Sequence, residues 1–125
     1  KAAIEVHPRI PPVIANPAGL TQCFSNLLHN AVKFVPDGVV PKVRIRGERN
    51  DGMVRLWFED NGIGIPPEMH PKLFVMFQRL NKRYEGTGIG LALVKKVAER
   101  MGGRVGLESA PGSGSRFWVE LKSSE

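Results

Sequence analysis

Four polar side chains, Gln22, Asn26, Asn30 and Lys33, recur at intervals of three and four residues. At about 100° per residue they fall within an arc of about 80° on one helix. The arc lies beside an apolar stripe rather than opposite it, so these groups sit at the edge of a core, where a cleft would open. An amide oxygen is a hard ligand suited to Mg²⁺, which takes one or two protein groups and leaves its other positions to phosphates and water. A lysine one turn further on is a suitable phosphate counter-charge. Taken alone, the same arc reads equally well as a solvated helix edge.

Three glycine-bearing segments stand downstream. The first, DNGIGIP, begins at Asp60. Two glycines two residues apart let backbone approach a ligand closely, and a buried carboxylate can read an exocyclic amino donor such as that of adenine. Asp-Asn-Gly is also turn-prone, so this segment is weak by itself. The second, EGTGIGLALVKKV, runs three alternating glycines straight into a strongly amphipathic helix. Bare backbone amides at a helix N-terminus make an anion site, and Arg79, Lys82 and Arg83 add positive charge just upstream. The third, APGSGS, would pass alone as a turn.

The elements that must hold these groups can be read from periodicity. Asn16 followed by Pro17 is an N-cap with proline at the first helical position. A helix is expected from there to about Val35, because Leu20, Cys23, Phe24, Leu27, Leu28, Ala31, Val32 and Val35 form one apolar face. An extended piece, Ile4 to Val6, precedes it. Two alternating strands follow, Val43 and Ile45 in one, Val54, Leu56 and Phe58 in the other, joined by the hairpin signal Asn50-Asp51-Gly52. A short helix is expected over about Pro67 to Val75, and another over about Gly90 to Met101, closed by Gly102-Gly103. Two last strands carry Val105 and Leu107, then Phe117, Val119 and Leu121. The sum is an α+β fold, a two-layer sandwich with three helices on one face of a mixed, mostly antiparallel sheet. Trp57 and Trp118 fall on the other face with Arg116 and Glu120. Exposed cross-strand packing is the favoured reading for the two indoles over a docking surface.

Length and composition agree with one domain over residues 1–125. Of the 125 residues, 42% are hydrophobic and 24% charged, ordinary values for a globular protein. The net charge is +6. With no run of five like charges, nucleic acid is not expected as a partner, and an anionic small ligand explains that sign. The lone Cys23 excludes an internal disulfide and a zinc site built from cysteines, and it reads as a buried core thiol. A reducing, cytoplasmic setting fits. No apolar run approaches a membrane span and no signal peptide is visible. The chain opens at Lys1 rather than methionine, as expected of a piece cut from something longer.

Several phosphate-binding classes are excluded. There is no GxxxxGK[ST], no GxGxxG after a first strand, and none of the protein-kinase catalytic and metal motifs. No nucleophile elbow or paired-histidine metal motif occurs.

In order along the chain, QCFSNLLHNAVKF resembles the N box of the histidine-kinase ATPase family and DNGIGIP its first glycine box. LFVMFQRL resembles its F box, GTGIGLALVKKVAERMGG its second glycine box, and SAPGSGSRF its last. Five boxes in family order are highly specific. The stretch from MFQRL to GTGIGLALVKK looks especially like phytochrome-type sensor kinases.

The resemblance implies the Bergerat ATP-binding fold with ATP and Mg²⁺ as cofactors. It implies Asn30 as the metal ligand with Asn26 beside it, and Lys33 facing phosphate. Asp60 would accept from the adenine amino group, and Gly62 and Gly64 would admit the base. Phe74 and Phe77 would anchor the lid over the nucleotide, and Arg79 would approach the γ-phosphate. Gly86, Gly88 and Gly90 would line the phosphates, while Ile65, Thr87, Leu91 and Ser115 complete the nucleotide-contacting set. Asn26, Lys33 and Arg79 are the catalytic candidates. In two respects the chain departs from the family. Only Gln78 to Glu85 separate Phe77 from Gly86, a short lid, and Ser115 stands where threonine is common.

The same fold serves DNA gyrase, mismatch-repair ATPases and a heat-shock chaperone, which resemble one another in carrying a glutamate base at the position of Asn26. An amide cannot take a proton at neutral pH, which favours phosphoryl transfer to a protein over hydrolysis. The implied partners are a histidine-bearing dimerisation domain of the same kinase and then a response regulator. The alternatives are a non-catalytic nucleotide-sensing module and a serine kinase of the anti-sigma-factor type. None of His7, His29 and His70 lies on a long dimerising helix followed by an acidic residue, so the isolated chain is expected not to phosphorylate itself. The resemblance, which assigns dimerisation to that other domain, implies a monomer.

Overall fold

A computed structural model describes residues 3–33, 35–65, 67–74, 90–109, 112 and 114–124. The chain runs β1 (Ala3–Val6), α1 (Pro17–Lys33), β2 (Lys42–Asn50), β3 (Met53–Asp60), a 3₁₀ stretch (Pro67–Lys72), α2 (Gly90–Arg100), β4 (Arg104–Ser109) and β5 (Ser115–Lys122). The strands form one sheet in the order β1-β2-β3-β5-β4. Only the β1–β2 pair is parallel, so the mixed, mostly antiparallel sheet expected from the alternation is present.

Local chemistry accounts for the element boundaries. Oδ1 of Asn16 accepts the backbone N–H of Gly19 at 3.0 Å, and the Asn16 carbonyl accepts that of Leu20, so Asn16 is the N-cap. The β2–β3 hairpin turns on Asp51 and Gly52, both at positive φ, which matches the right-handed twist of its strands. Helix α2 stops in a Schellman arrangement: Gly103 N–H donates to the Ala98 carbonyl and Gly102 N–H to that of Glu99, with Gly102 at φ +78°. The expected count of three helices needs correction. Among the described residues there are two α-helices, and the segment from Pro67 is a 3₁₀ stretch ending at Lys72. Pro71 lies inside it and lacks the N–H that an α-helical turn would need.

Helices α1 and α2 pack against each other and cover one sheet face. Cys23, Leu27 and Ala31 of α1 and Val94 and Ala98 of α2 meet Val43, Ile45, Val54, Leu56, Phe58, Val119 and Leu121. Phe24 meets Phe58 edge-on, ring centroids 4.9 Å apart. Cys23 is fully buried, and burial pushes its thiol pKa up. Loss of water around the thiolate is the cause.

On the opposite face the indoles do pack across strands, Trp57 beside Trp118, but Trp57 is not exposed as expected. Trp57 is only 4% exposed. It is covered by guanidinium groups, with Arg116 4.4 Å and Arg46 5.2 Å from the ring centroid, and its Nε1–H donates to Glu48 at 2.9 Å. Arg55 lies 3.8 Å over Trp118. Glu120, expected to face water, is 2% exposed between Arg55 and Arg104. Reading across β2-β3-β5-β4, the rungs are Arg44-Glu59-Arg116-Glu108, Arg46-Trp57-Trp118-Gly106 and Glu48-Arg55-Glu120-Arg104. Charges alternate along and between the outer rungs. They neutralise one another around the central aromatic pair.

Candidate functional site

Three strands that are apolar on their helix-side face each end in a polar residue on that face. Val54, Leu56 and Phe58 lead to Asp60; Leu121, Val119 and Phe117 lead back to Ser115; Val105 and Leu107 lead to Ser109. Asp60 pairs with Ser115, and Ser115 with Ser109, so the three form one rung across β3-β5-β4. Polar groups on a core-facing register must find partners. These do so largely from the loops that follow.

Oδ1 of Asp60 accepts the backbone N–H of Gly62 at 2.9 Å and that of Ser115 at 3.0 Å. Among the described residues nothing bonds Oδ2, which leaves one carboxylate oxygen for a ligand donor. Burial pushes the Asp60 pKa up from its ordinary value, partly offset by the two backbone donors. The next residue holds the strand ends together. Asn61 accepts Lys42 N–H at 2.7 Å and donates to the Val40 carbonyl at 3.0 Å.

The glycine loop is pinned from two sides. Ser109 Oγ accepts Ile65 N–H at 2.8 Å, and His70 Nε2 donates to the Ile65 carbonyl at 3.0 Å. Gly64 has φ +77°, a left-handed turn suited to glycine. Gly114, at φ +73°, lies so close to the Asp60 carbonyl that a Cβ there would overlap it. Ile65 is buried, and Phe74 meets Phe117 edge-on at 6.4 Å.

Asn26 and Asn30 are half-buried on α1, which crosses the sheet face that carries Asp60. Gln22, at the start of the same arc, is exposed. Lys33 closes the helix. Gly90 opens α2 and Leu91 follows it, packed against the core. The structure therefore brings Asn26, Asn30, Asp60, Ile65, Phe74, Leu91 and Ser115 to the helix side of the sheet, with the Gly62–Gly64 loop at its end. Phe77, Arg79, Gly86, Thr87 and Gly88 lie outside the described residues. No cluster of three His, Cys, Asp or Glu that could hold a metal ion occurs among the described residues. The two half-buried amides of α1 would suit a cation that keeps phosphate oxygens and water as its main ligands.

Sequence reasoning missed Ser109 and Asn61. Ser109 could have been found from parity: it continues the core-facing register of Val105 and Leu107, where an unpaired hydroxyl would be unfavourable.

Residues 15–125 match the family described as histidine kinase-, DNA gyrase B-, and HSP90-like ATPase. The phytochrome-like protein Cph1 of Synechocystis is 44% identical over 122 residues, covering 96% of this chain and 16% of that protein. The sensor histidine kinase AruS of Pseudomonas aeruginosa is 45% identical over 112 residues, covering 82% of this chain and 11% of that protein. The chain thus spans a small part of each relative. Among solved structures, the mycobacterial sensor histidine kinase MprB superposes with a TM-score of 0.83 at 30% identity, covering 98% of this chain and 84% of that one. Full-length ShkA in complex with AMPPNP gives 0.80 at 31% identity, covering 99% of this chain and 26% of that one. The resemblance to sensor histidine kinases, phytochrome-like ones included, is borne out, and so is the fold.

Proposed function

The chain belongs to the histidine kinase-, DNA gyrase B-, and HSP90-like ATPase family, and from that membership we propose that it binds Mg·ATP and presents the γ-phosphoryl group to a histidine on a separate dimerisation domain. In this reading it is the ATP-binding catalytic domain of a two-component sensor kinase, a single domain over residues 1–125 with a core of about 4–122. It works in the cytoplasm, where a response regulator takes the phosphoryl group onward. Among the described residues no helix is long and apolar enough to cross a membrane.

The observation that carries the proposal is the Asp60 carboxylate, with Oδ1 held by two backbone donors and Oδ2 uncommitted among the described residues. A fixed acceptor at the end of an apolar sheet face selects a ligand with an amino edge and a flat apolar body. Ile65 and Leu91 would line that body. Asn30 would hold Mg²⁺, with Asn26 one turn earlier at the metal and phosphate end. The ion, when bound, neutralises phosphate charge. Lys33 and Arg79 would add positive charge to the phosphates, and Gly86, Thr87, Gly88 and Gly90 would supply close backbone. Asn26 has no basic pair of electrons for a water proton, so the reading favours transfer to a protein acceptor over hydrolysis.

Calorimetric titration with ATP, with and without Mg²⁺, on wild type and Asn30→Ala tests this. Wild type should bind more tightly with Mg²⁺ than without, and Asn30→Ala should lose that difference. A variant that binds Mg·ATP as well as wild type removes Asn30 from the metal site. A wild type that binds no ATP removes the function.

A further inference from the structure

The rung Asp60-Ser115-Ser109 contains a proton that only one arrangement can place. Ser109 Oγ makes three contacts, each at 2.8 Å: to Ile65 N, to the Gly114 carbonyl and to Ser115 Oγ. The Ile65 N–H can only donate and the Gly114 carbonyl can only accept. To satisfy both, Ser109 spends its one hydroxyl proton on Gly114. The third contact then requires Ser115 to donate its own proton to Ser109. Ser115, 5% exposed, is left with lone pairs alone for anything else that reaches it.

We propose that Ser109 is a positioning residue for base selection: by taking the hydroxyl proton of Ser115, it makes Ser115 Oγ a second acceptor beside the Asp60 carboxylate. The inference rests on the adenine-nucleotide reading above and adds to it a cause of discrimination. Two neighbouring acceptors suit an exocyclic amino group, or an amino group and an ordered water, and reject a 6-oxo group, whose lone pairs meet lone pairs. Free to rotate, the Ser115 hydroxyl would donate to an oxo group as readily as it accepts from an amino group. Ser109 removes that freedom while also pinning Ile65 in the loop that admits the base.

The test uses the ratio of dissociation constants for inosine triphosphate and ATP, two nucleotides that differ at position 6 of the base. Wild type should favour ATP. Ser109→Ala should lower the ratio about three- to tenfold, the range of one net hydrogen bond. Ser109→Thr, which keeps the hydroxyl, should restore it. A purely structural role would weaken both nucleotides alike and leave the ratio where it was. Ser115→Ala should lower the ratio as Ser109→Ala does, and adding Ser109→Ala to it should lower it no further. If wild type binds ATP and either single alanine variant keeps the wild-type ratio, the proposal is wrong while the nucleotide reading stands. If wild type binds no ATP, both fall. Should circular dichroism show Ser109→Ala unfolded, Ser115→Ala decides alone, because the proposed effect of Ser109 on base choice runs through that oxygen.

Discussion

Asp60 and Ser115 face each other across the β3–β5 pair, and Oδ1 of Asp60 accepts the Ser115 backbone N–H at 3.0 Å. That bond ties the proposed base-reading carboxylate to the last strand rather than to its own loop alone. Gly62 N–H supplies the second anchor from the other side. A carboxylate held on one oxygen by two donors keeps a fixed direction for the other. The same burial that sharpens it also disfavours its charge.

Asp60→Asn should therefore separate stability from binding. Burial raises the Asp60 pKa above its ordinary 3.8, against the smaller pull of its Gly62 and Ser115 bonds. An acid with a raised folded pKa holds its proton more tightly folded than unfolded. Stability then falls as pH rises from 3.8 through the raised value, and the full penalty is present above it. The amide carries no such charge and can still accept both N–H groups. Its melting temperature at pH 7 should match or exceed wild type, with the advantage shrinking below pH 4. ATP affinity should fall about tenfold or more, as for hydrogen bonds to a charged group. Paired melting curves and calorimetry check both halves. An advantage that grows on acidification would reverse the sign.

Glu120 should behave in the opposite sense. Burial pushes its pKa up, but hydrogen bonds from Arg104 and Arg55, and their charges, outweigh this and bring it below the ordinary 4.5. Its stabilisation is present above 4.5 and is lost as pH falls through the folded value. Glu120→Gln should cost about 1–3 kcal/mol at pH 7. The lower half of that range is expected, because Arg104 is 65% exposed and largely screened. Urea midpoints at pH 7 and pH 3 test it. An equal deficit at both would remove the ion pair as its cause.

Gly114 and Gly112 both lie at positive φ, but only one is crowded. A Cβ on Gly114 would overlap the Asp60 carbonyl, while nothing lies within 4 Å of one on Gly112. Gly112→Ala should cost only conformational strain, about 1 kcal/mol. Gly114→Ala should cost more and also weaken ATP binding, because it forces the start of β5, with Ser115, away from Asp60. Equal melting temperatures for the two variants would mean that the close approach carries no weight.

Much of this was legible in the chain, for identifiable reasons. The Asn16-Pro17 cap, the Asp51-Gly52 turn and the α2 stop at Gly102 are local chemistry, and each lies where its residues demand. Strand faces follow from two-residue alternation, so Asp60 and Ser115 were assignable to the core side. What alternation does not say is what covers the other face. Trp57 was expected exposed because no helix was left to bury it. It is buried by arginines, whose stems and planar heads cover aromatic surface while staying partly wet. Gly106 was similarly opaque: its lack of a side chain matters because the Trp118 indole occupies that space. Ser109 has a parity that places it on the core side, but its partners, Ile65 in one loop and Gly114-Ser115 at the start of the last strand, are far from it in sequence or across a turn and are not given by alternation.

The isolated chain should bind ATP without phosphorylating itself. Two of its three histidines already hold backbone partners. His7 accepts Arg9 N–H on Nδ1 in the segment after β1, and His29 is exposed on α1. His70 donates from Nε2 to the Ile65 carbonyl, so that nitrogen has no lone pair to attack phosphorus unless the bond breaks. Such a transfer would also detach the loop proposed to admit the base. Incubation with Mg·ATP followed by mass spectrometry under neutral conditions should show no stoichiometric phosphohistidine. Adding a histidine-bearing dimerisation domain from a phytochrome-like kinase should move phosphate onto that domain alone. Stoichiometric label on His7, His29 or His70 would overturn the division of labour between the two domains. Tight ATP binding with no transfer to any such domain would favour a nucleotide-sensing module instead.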